Sequence, residues 1–180
     1  MPRTKLTCRC GGICMTVTGA PIMAVECHCT SCQSAAAGFA AAVPAAHVTE
    51  KNGGTQYVMV RKDRLTFDLG QGHLAAQRLT PQSATRRVLA SCCGTPLFLE
   101  FTKGHWLSVY AGLWPDDSRP PMAMRTMTRD HVGDQPLADD MPNPKTHTVG
   151  FMAKLLAAWF AMGLRIPALP EIPEKEQAHV

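Results

Sequence analysis

Three cysteines at C-x-C-x-x-C spacing, Cys27, Cys29 and Cys32, stand within six residues of a 180-residue chain. In an extended strand side chains alternate faces, so Cys27 and Cys29 point one way and His28 the other. A tight turn after Cys29 brings Cys32 back toward the same point. Thiolates that converge in this way form a soft, anionic ligand set, which selects zinc or a similar soft metal. The segment offers three ligands. A closed structural zinc takes four, whereas a catalytic zinc leaves the fourth position to water or substrate.

Two further cysteine clusters lie far apart in sequence. Cys8 and Cys10 precede Gly11-Gly12, and Cys92-Cys93 precede Gly94. The glycines permit tight turns. Paired cysteine turns from distant segments staple short strands in zinc-ribbon-like sites. The spacing therefore predicts a closed site drawn from Cys8, Cys10, Cys92 and Cys93, distinct from an open site at Cys27, Cys29 and Cys32. The eighth cysteine, Cys14, reads as a free thiol on a strand, and the lone His47 as a surface loop residue.

The elements that must position these groups are mostly short strands. Ile13, Met15 and Val17 alternate with polar residues, and Ile22 to Glu26 leads into the triplet. Ala35 to Val43 reads as a strand or irregular segment ended by Pro44, with Gly38 passing close to the metal site. Tyr57–Val60, Leu65–Leu69, Ala76–Leu79, Phe98–Phe101 and Trp106–Tyr110 follow, separated by glycine and proline turns, a spacing that predicts an all-β architecture. Near Arg129 the composition changes. His131 to Lys145 is rich in Pro, Asp and Asn and reads as a linker or long loop. Val149 to Leu164 then reads as one helix, capped by Thr148 and closed by Gly163 and Pro167. The division is a domain over residues 1–130 and an extension over 131–180.

The helix is apolar nearly all round, but it is shorter than the roughly 20 residues a membrane span needs and it carries Lys154. It is expected to pack on the domain or to form a homodimer interface, the alternative being a membrane-surface helix. A net charge of +4, with no Lys/Arg run interleaved with aromatics, argues against nucleic acid. The amino-terminal residues contain no apolar signal-peptide core, so the expected location is cytoplasmic. In that reducing setting clustered cysteines hold metal or do chemistry more often than they form disulfides.

Taken together, C-x-C-G at Cys8, C-H-C-x-x-C-Q at Cys27 and C-G-T-P-L at Cys93 resemble the glutathione-dependent formaldehyde-activating enzyme family, which includes the centromere protein V domain. The resemblance spans about Cys8 to Arg129, and Gly112 to Asp117 is similar to a late segment of the family. It implies a mainly β fold, a β-tent of stacked antiparallel sheets stapled by zinc, here with a C-terminal helical extension. It also implies a structural zinc from the first and last clusters and a catalytic zinc at Cys27, Cys29 and Cys32. The implied activity is carbon–sulfur lyase chemistry, the reversible joining of formaldehyde to glutathione. The family's last cluster usually reads C-x-x-C-G, whereas here Ala90 stands at its first position and Cys92 is the additional cysteine. Adjacent cysteines point apart in an extended chain. Three arrangements follow: a distorted turn that lets both bind, a three-cysteine site, or an empty one.

An open zinc accepts a thiol, lowers its pKa and polarises an aldehyde oxygen. Because three thiolates leave the ion net negative, holding a thiolate is the better-matched role. His28 and Arg87, the candidates for proton relay and carboxylate recognition, read as ordinary surface and strand-side residues. The competing function is a non-catalytic, zinc-stapled binding module that contacts a partner through the helix. A thiol redox role for Cys29 and Cys32 is the third reading, disfavoured by Cys27 beside them.

Overall fold

Side-chain alternation in one central strand decides the layering. In β4 (Thr55–Arg61) Tyr57 and Met59 face one way and Val58 and Val60 the other, and all four are buried. A strand apolar on both faces needs a layer on each side. The structure, a computed structural model, describes residues 1–43, 48–133 and 135–174. Pro44 and His47, read above as a terminator and a loop residue, lie outside the described residues.

β4 sits inside a seven-stranded sheet that also contains β3 (Met23–Cys27), β6 (Leu74–Gln77), β7 (Thr85–Ala90), β8 (Pro96–Phe101), β9 (Trp106–Tyr110) and β10 (Met124–Thr126). Its order is β10-β3-β4-β9-β8-β7-β6. Every pairing is antiparallel except that of β10 with β3, which is parallel. The smaller sheet joins β1 (Arg3–Thr7), β2 (Cys14–Thr18) and β5 (Leu65–Leu69) in that order. Leu6, Met15 and Val17 from the small sheet pack with Val58, Val60, Phe98 and Val109 of the large one. The opposite face of the large sheet is covered by α1 (Thr30–Ala42) and α2 (Val149–Phe160), through Phe39, Phe151 and Leu155 against Val25, Tyr57, Met59 and Tyr110.

The mainly β class with stacked sheets and a C-terminal helix is thus the observed architecture. α2 starts where the sequence places it, with the Thr148 hydroxyl accepting from Phe151 N at 3.1 Å. It stops at Phe160, short of Leu164. No helix among the described residues is long and apolar enough to cross a membrane. The segment from Ala35 to Val43 corrects the reading given above, because it is the body of α1 rather than a strand. Alanine propensity prevails over the single glycine. A Cβ at Gly38 would meet nothing within 4 Å, so no close backbone approach calls for that residue. The described residues of 131–145 carry no strand or long helix, yet the segment is tied down: Arg125 N donates to Pro142 O at 2.9 Å and Thr128 Oγ1 to Asn143 O at 3.0 Å. The chain then returns along the β6 edge, where Ala76 N donates to Pro173 O at 2.8 Å and Ile172 enters the core between the sheets.

A heavily bonded buried carboxylate, Glu26, stands on β3 directly before the triplet, 3% exposed. Its Oε1 accepts from His28 Nε2 at 3.0 Å, Asn52 Nδ2 at 2.8 Å and Arg125 Nε at 2.9 Å, and its Oε2 accepts from Gln56 Nε2 at 3.1 Å. Burial opposes ionisation, but the hydrogen bonds, His28 foremost, outweigh it and hold the carboxyl at about 2. Gly54 leaves room for this carboxylate, since a Cβ there would lie 2.6 Å from Glu26 Cγ. Arg125 continues the network, donating through Nη1 to Ala138 O at 3.0 Å, Asp140 Oδ1 at 2.6 Å and Asn143 Oδ1 at 3.1 Å. Glu26→Ala leaves the Arg125 guanidinium short of its buried partner. Urea denaturation at neutral pH is expected to register a loss of about 3–5 kcal/mol, and a loss below about 1 kcal/mol would show that the network is dispensable.

Candidate metal centres and the adjoining cavity

The closed cluster is assembled by two turns on different sheets. Cys8 and Cys10 lie in the β1–β2 connection, where Gly11 adopts φ +78° and Ile13 N donates to Cys8 Sγ at 3.2 Å. Cys92 and Cys93 lie in the β7–β8 turn, where Gly94 adopts φ +72° and donates to Ala90 O at 2.7 Å. The turns are cross-linked, since Arg9 N donates to Thr95 Oγ1 at 3.2 Å and Arg9 Nη2 to Cys93 O at 3.0 Å. All four sulfurs lie within 4.8 Å of one another. The adjacent pair thus converges, because the turn departs from the extended geometry in which neighbours diverge. Sulfurs on a tetrahedral zinc stand roughly 3.8 Å apart. Here Cys8–Cys10 is 3.6 Å, Cys8–Cys92 3.9 Å, Cys10–Cys92 3.3 Å and Cys92–Cys93 3.9 Å, so the donor set fits such an ion. Burial works against ionisation of Cys93, but the Thr95 hydroxyl and backbone N–H hold its thiol at about 6. Cys14 stands apart, half-buried, 3.8 Å from Asp68 Oδ2.

The triplet is assembled by the β3-to-α1 junction. Cys27 ends β3, Cys29 is the N-cap of α1, and Cys32 lies in the first turn, where its N–H donates to Cys29 O at 3.0 Å. Gln33 Nε2 clamps the junction, donating to His28 O at 2.5 Å and to Asp130 O at 2.8 Å. The three sulfurs lie within 4.8 Å of one another, and no fourth His, Cys, Asp or Glu among the described residues joins them. Cys32 Sγ lies 3.5 Å from the Tyr57 hydroxyl. Hydrogen bonds from the Cys27 and Cys32 thiols pull Cys29 down to about 2, and the Arg87 charge adds to this. Cys27, which donates to Cys29, is pushed up.

Two residues differ from the sequence reading. His28 is fully buried and bonded to Glu26, because the face opposite Cys27 is covered by β10 and by His131 rather than by solvent. Arg87 is also inside, 2% exposed, its Nη2 donating to Ser31 O at 2.8 Å. Its Nε and Nη1 have no hydrogen-bond partner among the described residues. A buried guanidinium without a carboxylate is costly unless negative charge stands nearby. The Cys29 thiolate supplies such charge, and an anionic tricysteine metal centre beside Arg87 would fit the orphaned groups.

Cys27, Cys29, Cys32 and Arg87 line a cavity of about 530 Å³. The rest of its wall includes Met59, Trp106, Ser108, Phe151 and Leu155. His147, which no sequence motif marks, reaches the cavity and is held there by Thr126 Oγ1 at 2.9 Å from Nδ1 and by stacking on Phe151 at 4.5 Å. Burial lowers its pKa, so the ring is neutral.

Cys93→Ser removes one sulfur from the cluster that bridges the two sheets. The zinc-loaded variant is expected to lose one metal equivalent and about 10 °C in Tm, read by elemental analysis and calorimetry. Unchanged metal content would show that Cys93 is not a ligand.

A family model for the glutathione-dependent formaldehyde-activating enzyme matches residues 3–128. Comparison with curated proteins returns no match. Among solved structures, the crystal structure of a Rhodobacter sphaeroides protein is similar at TM-score 0.46 and 14% identity, covering 68% of this chain and 99% of that one. The matched segment contains all seven clustered cysteines and ends before His147 and α2. With well over half of its length matched, the chain belongs to the glutathione-dependent formaldehyde-activating enzyme family.

Proposed function

We propose that the chain is a zinc-dependent carbon–sulfur lyase that joins a thiol such as glutathione to formaldehyde or another small aldehyde and splits the adduct again. One observation carries this reading. The cysteine group that links the two sheets has four sulfurs, while the group that lines the large cavity has three. A position left open beside a cavity suits chemistry, whereas a filled one suits stapling.

Zinc at the triplet supplies a lowered pKa for a thiol sharing the site and Lewis acidity toward an aldehyde oxygen. The protein's own groups then have distinct tasks. Cys27, Cys29 and Cys32 hold the ion at the cavity wall. The Arg87 charge offsets the negative charge that three thiolates leave on a divalent ion. His147, fixed at Nδ1 by Thr126, has Nε2 left to take the thiol proton. As the carbon–sulfur bond forms, the carbonyl oxygen becomes a hydroxyl and receives that proton. Cleavage runs the same transfers in reverse. The surrounding apolar side chains keep bulk water from the adduct.

Cys29→Ser tests the assignment. Metal content is expected to fall from two equivalents to one with little change in Tm, and thiol–aldehyde turnover to fall by about 10³ or more. In the same assay His147→Asn should retain both metals and lose about 10² in kcat. Wild-type protein that carries both metals and turns over no thiol with any aldehyde would defeat the lyase reading in favour of a zinc-stapled binding module. A homodimer through α2 is a separate proposal, supported by the exposure of Val149, Met152, Leu156 and Phe160 along the helix's outer side. Sedimentation is expected to give a dimer, and a monomer at micromolar concentration would remove it.

A further inference from the structure

Formaldehyde contributes one carbon to its adduct, yet the cavity beside the triplet is roomy and unevenly lined. Its polar lining includes Arg87, Ser108, Thr126, Arg129, Asp130 and His147. Much of the wall is nevertheless apolar, with Met59, Leu99, Trp106, Phe151 and Leu155 in it. Phe151 and Leu155 belong to α2, beyond the residues that match the family model. That part of the wall therefore lies outside the family segment.

The wall is built in place. Leu155 O accepts from His105 Nε2 at 2.8 Å, and the His105 ring stacks on Trp159 with centroids 5.7 Å apart. Phe151 is fixed by its stacking on His147. Both Phe151 and Leu155 are buried in the core shared with Val25, Tyr57 and Met59. A preformed apolar surface beside a reactive centre gains most from an apolar group that displaces water from it.

We propose that this wall receives the alkyl tail of the aldehyde, so that the preferred substrate is the adduct of glutathione with a medium-length, apolar aldehyde rather than with formaldehyde. The inference rests on the thiol–aldehyde reading of the site. The step balances without a redox partner: the S–H bond breaks, sulfur bonds to the carbonyl carbon, the π pair moves to oxygen, and the proton ends on that oxygen as a hemithioacetal hydroxyl. Cleavage returns thiol and aldehyde.

The test uses the full, zinc-loaded chain and two stable adduct analogues, S-methylglutathione and S-hexylglutathione, titrated by calorimetry. Each fully buried methylene is worth about fourfold in affinity. S-hexylglutathione is therefore expected to bind at least about tenfold more tightly, with Phe151→Ala cutting that preference at least about threefold. Phe151→Leu, which keeps the core filled, should cut it less. Turnover of hexanal with glutathione should exceed that of formaldehyde in kcat/KM by a similar factor. Equal binding of the two analogues, or a preference for formaldehyde, overturns the inference and leaves the lyase reading intact. A preference for S-hexylglutathione without turnover of either aldehyde defeats the lyase reading and leaves the apolar subsite standing.

Discussion

A single buried carboxylate orients the cysteine triplet of this protein. Glu26 sits one residue before Cys27, and its four donors come from β4, from the 52–54 turn, from His28 and from Arg125 on β10. Because strand side chains alternate, holding Glu26 in that network obliges Cys27 to face the cavity. Arg125 carries the constraint onward by gathering the carbonyl and side-chain oxygens of residues 138–143. The segment so captured delivers His147 to the cavity and starts α2 beside it. An ion pair this deep contributes little net stability once its desolvation is counted, and its use here is geometric.

The two cysteine groups divide the remaining work. The four-sulfur group joins the β1–β2 connection to the β7–β8 turn and so ties the small sheet to the large one. It also touches the second group indirectly. Gly94, beside Cys93, lies so close to Val43 at the end of α1 that a Cβ there would approach Val43 Cγ2 to 2.5 Å. α1 carries Cys32 at its other end, so one helix spans from the triplet to the closed cluster. β7 contributes at both places as well, holding Arg87 against the triplet and leading into Cys92.

Much of this was legible in the residues alone, and the gaps have physical causes. Cysteine spacing revealed both groups, because metal chemistry restricts which residues can be close. Strand periodicity revealed β4, β5 and β9 to within a residue or two, since each has alternating or continuous burial. α1 reads as a strand or irregular segment because a small apolar run with one glycine carries no periodicity, its face being set by contacts with the sheet rather than by its own pattern. The sequence reads His28 and Arg87 as surface and strand-side residues because their burial depends on what covers them, namely His131 and the α1 junction. Cys92 and Cys93 left three arrangements open. Only the path of the turn, with Gly94 at positive φ, decides that both sulfurs converge. The weight of Glu26 has one visible sign, a charge within an otherwise apolar strand, but three of its four partners lie 26 to 99 residues away.

The central claim is that one cysteine centre is closed and the other open to a thiol. X-ray absorption at the zinc edge of the fully loaded chain tests it most directly. Two zinc ions per chain are expected, with about 3.5 sulfurs per zinc on average, rising toward about 4 when glutathione is added. A single zinc per chain, or four-sulfur coordination at both sites that glutathione does not change, would contradict it.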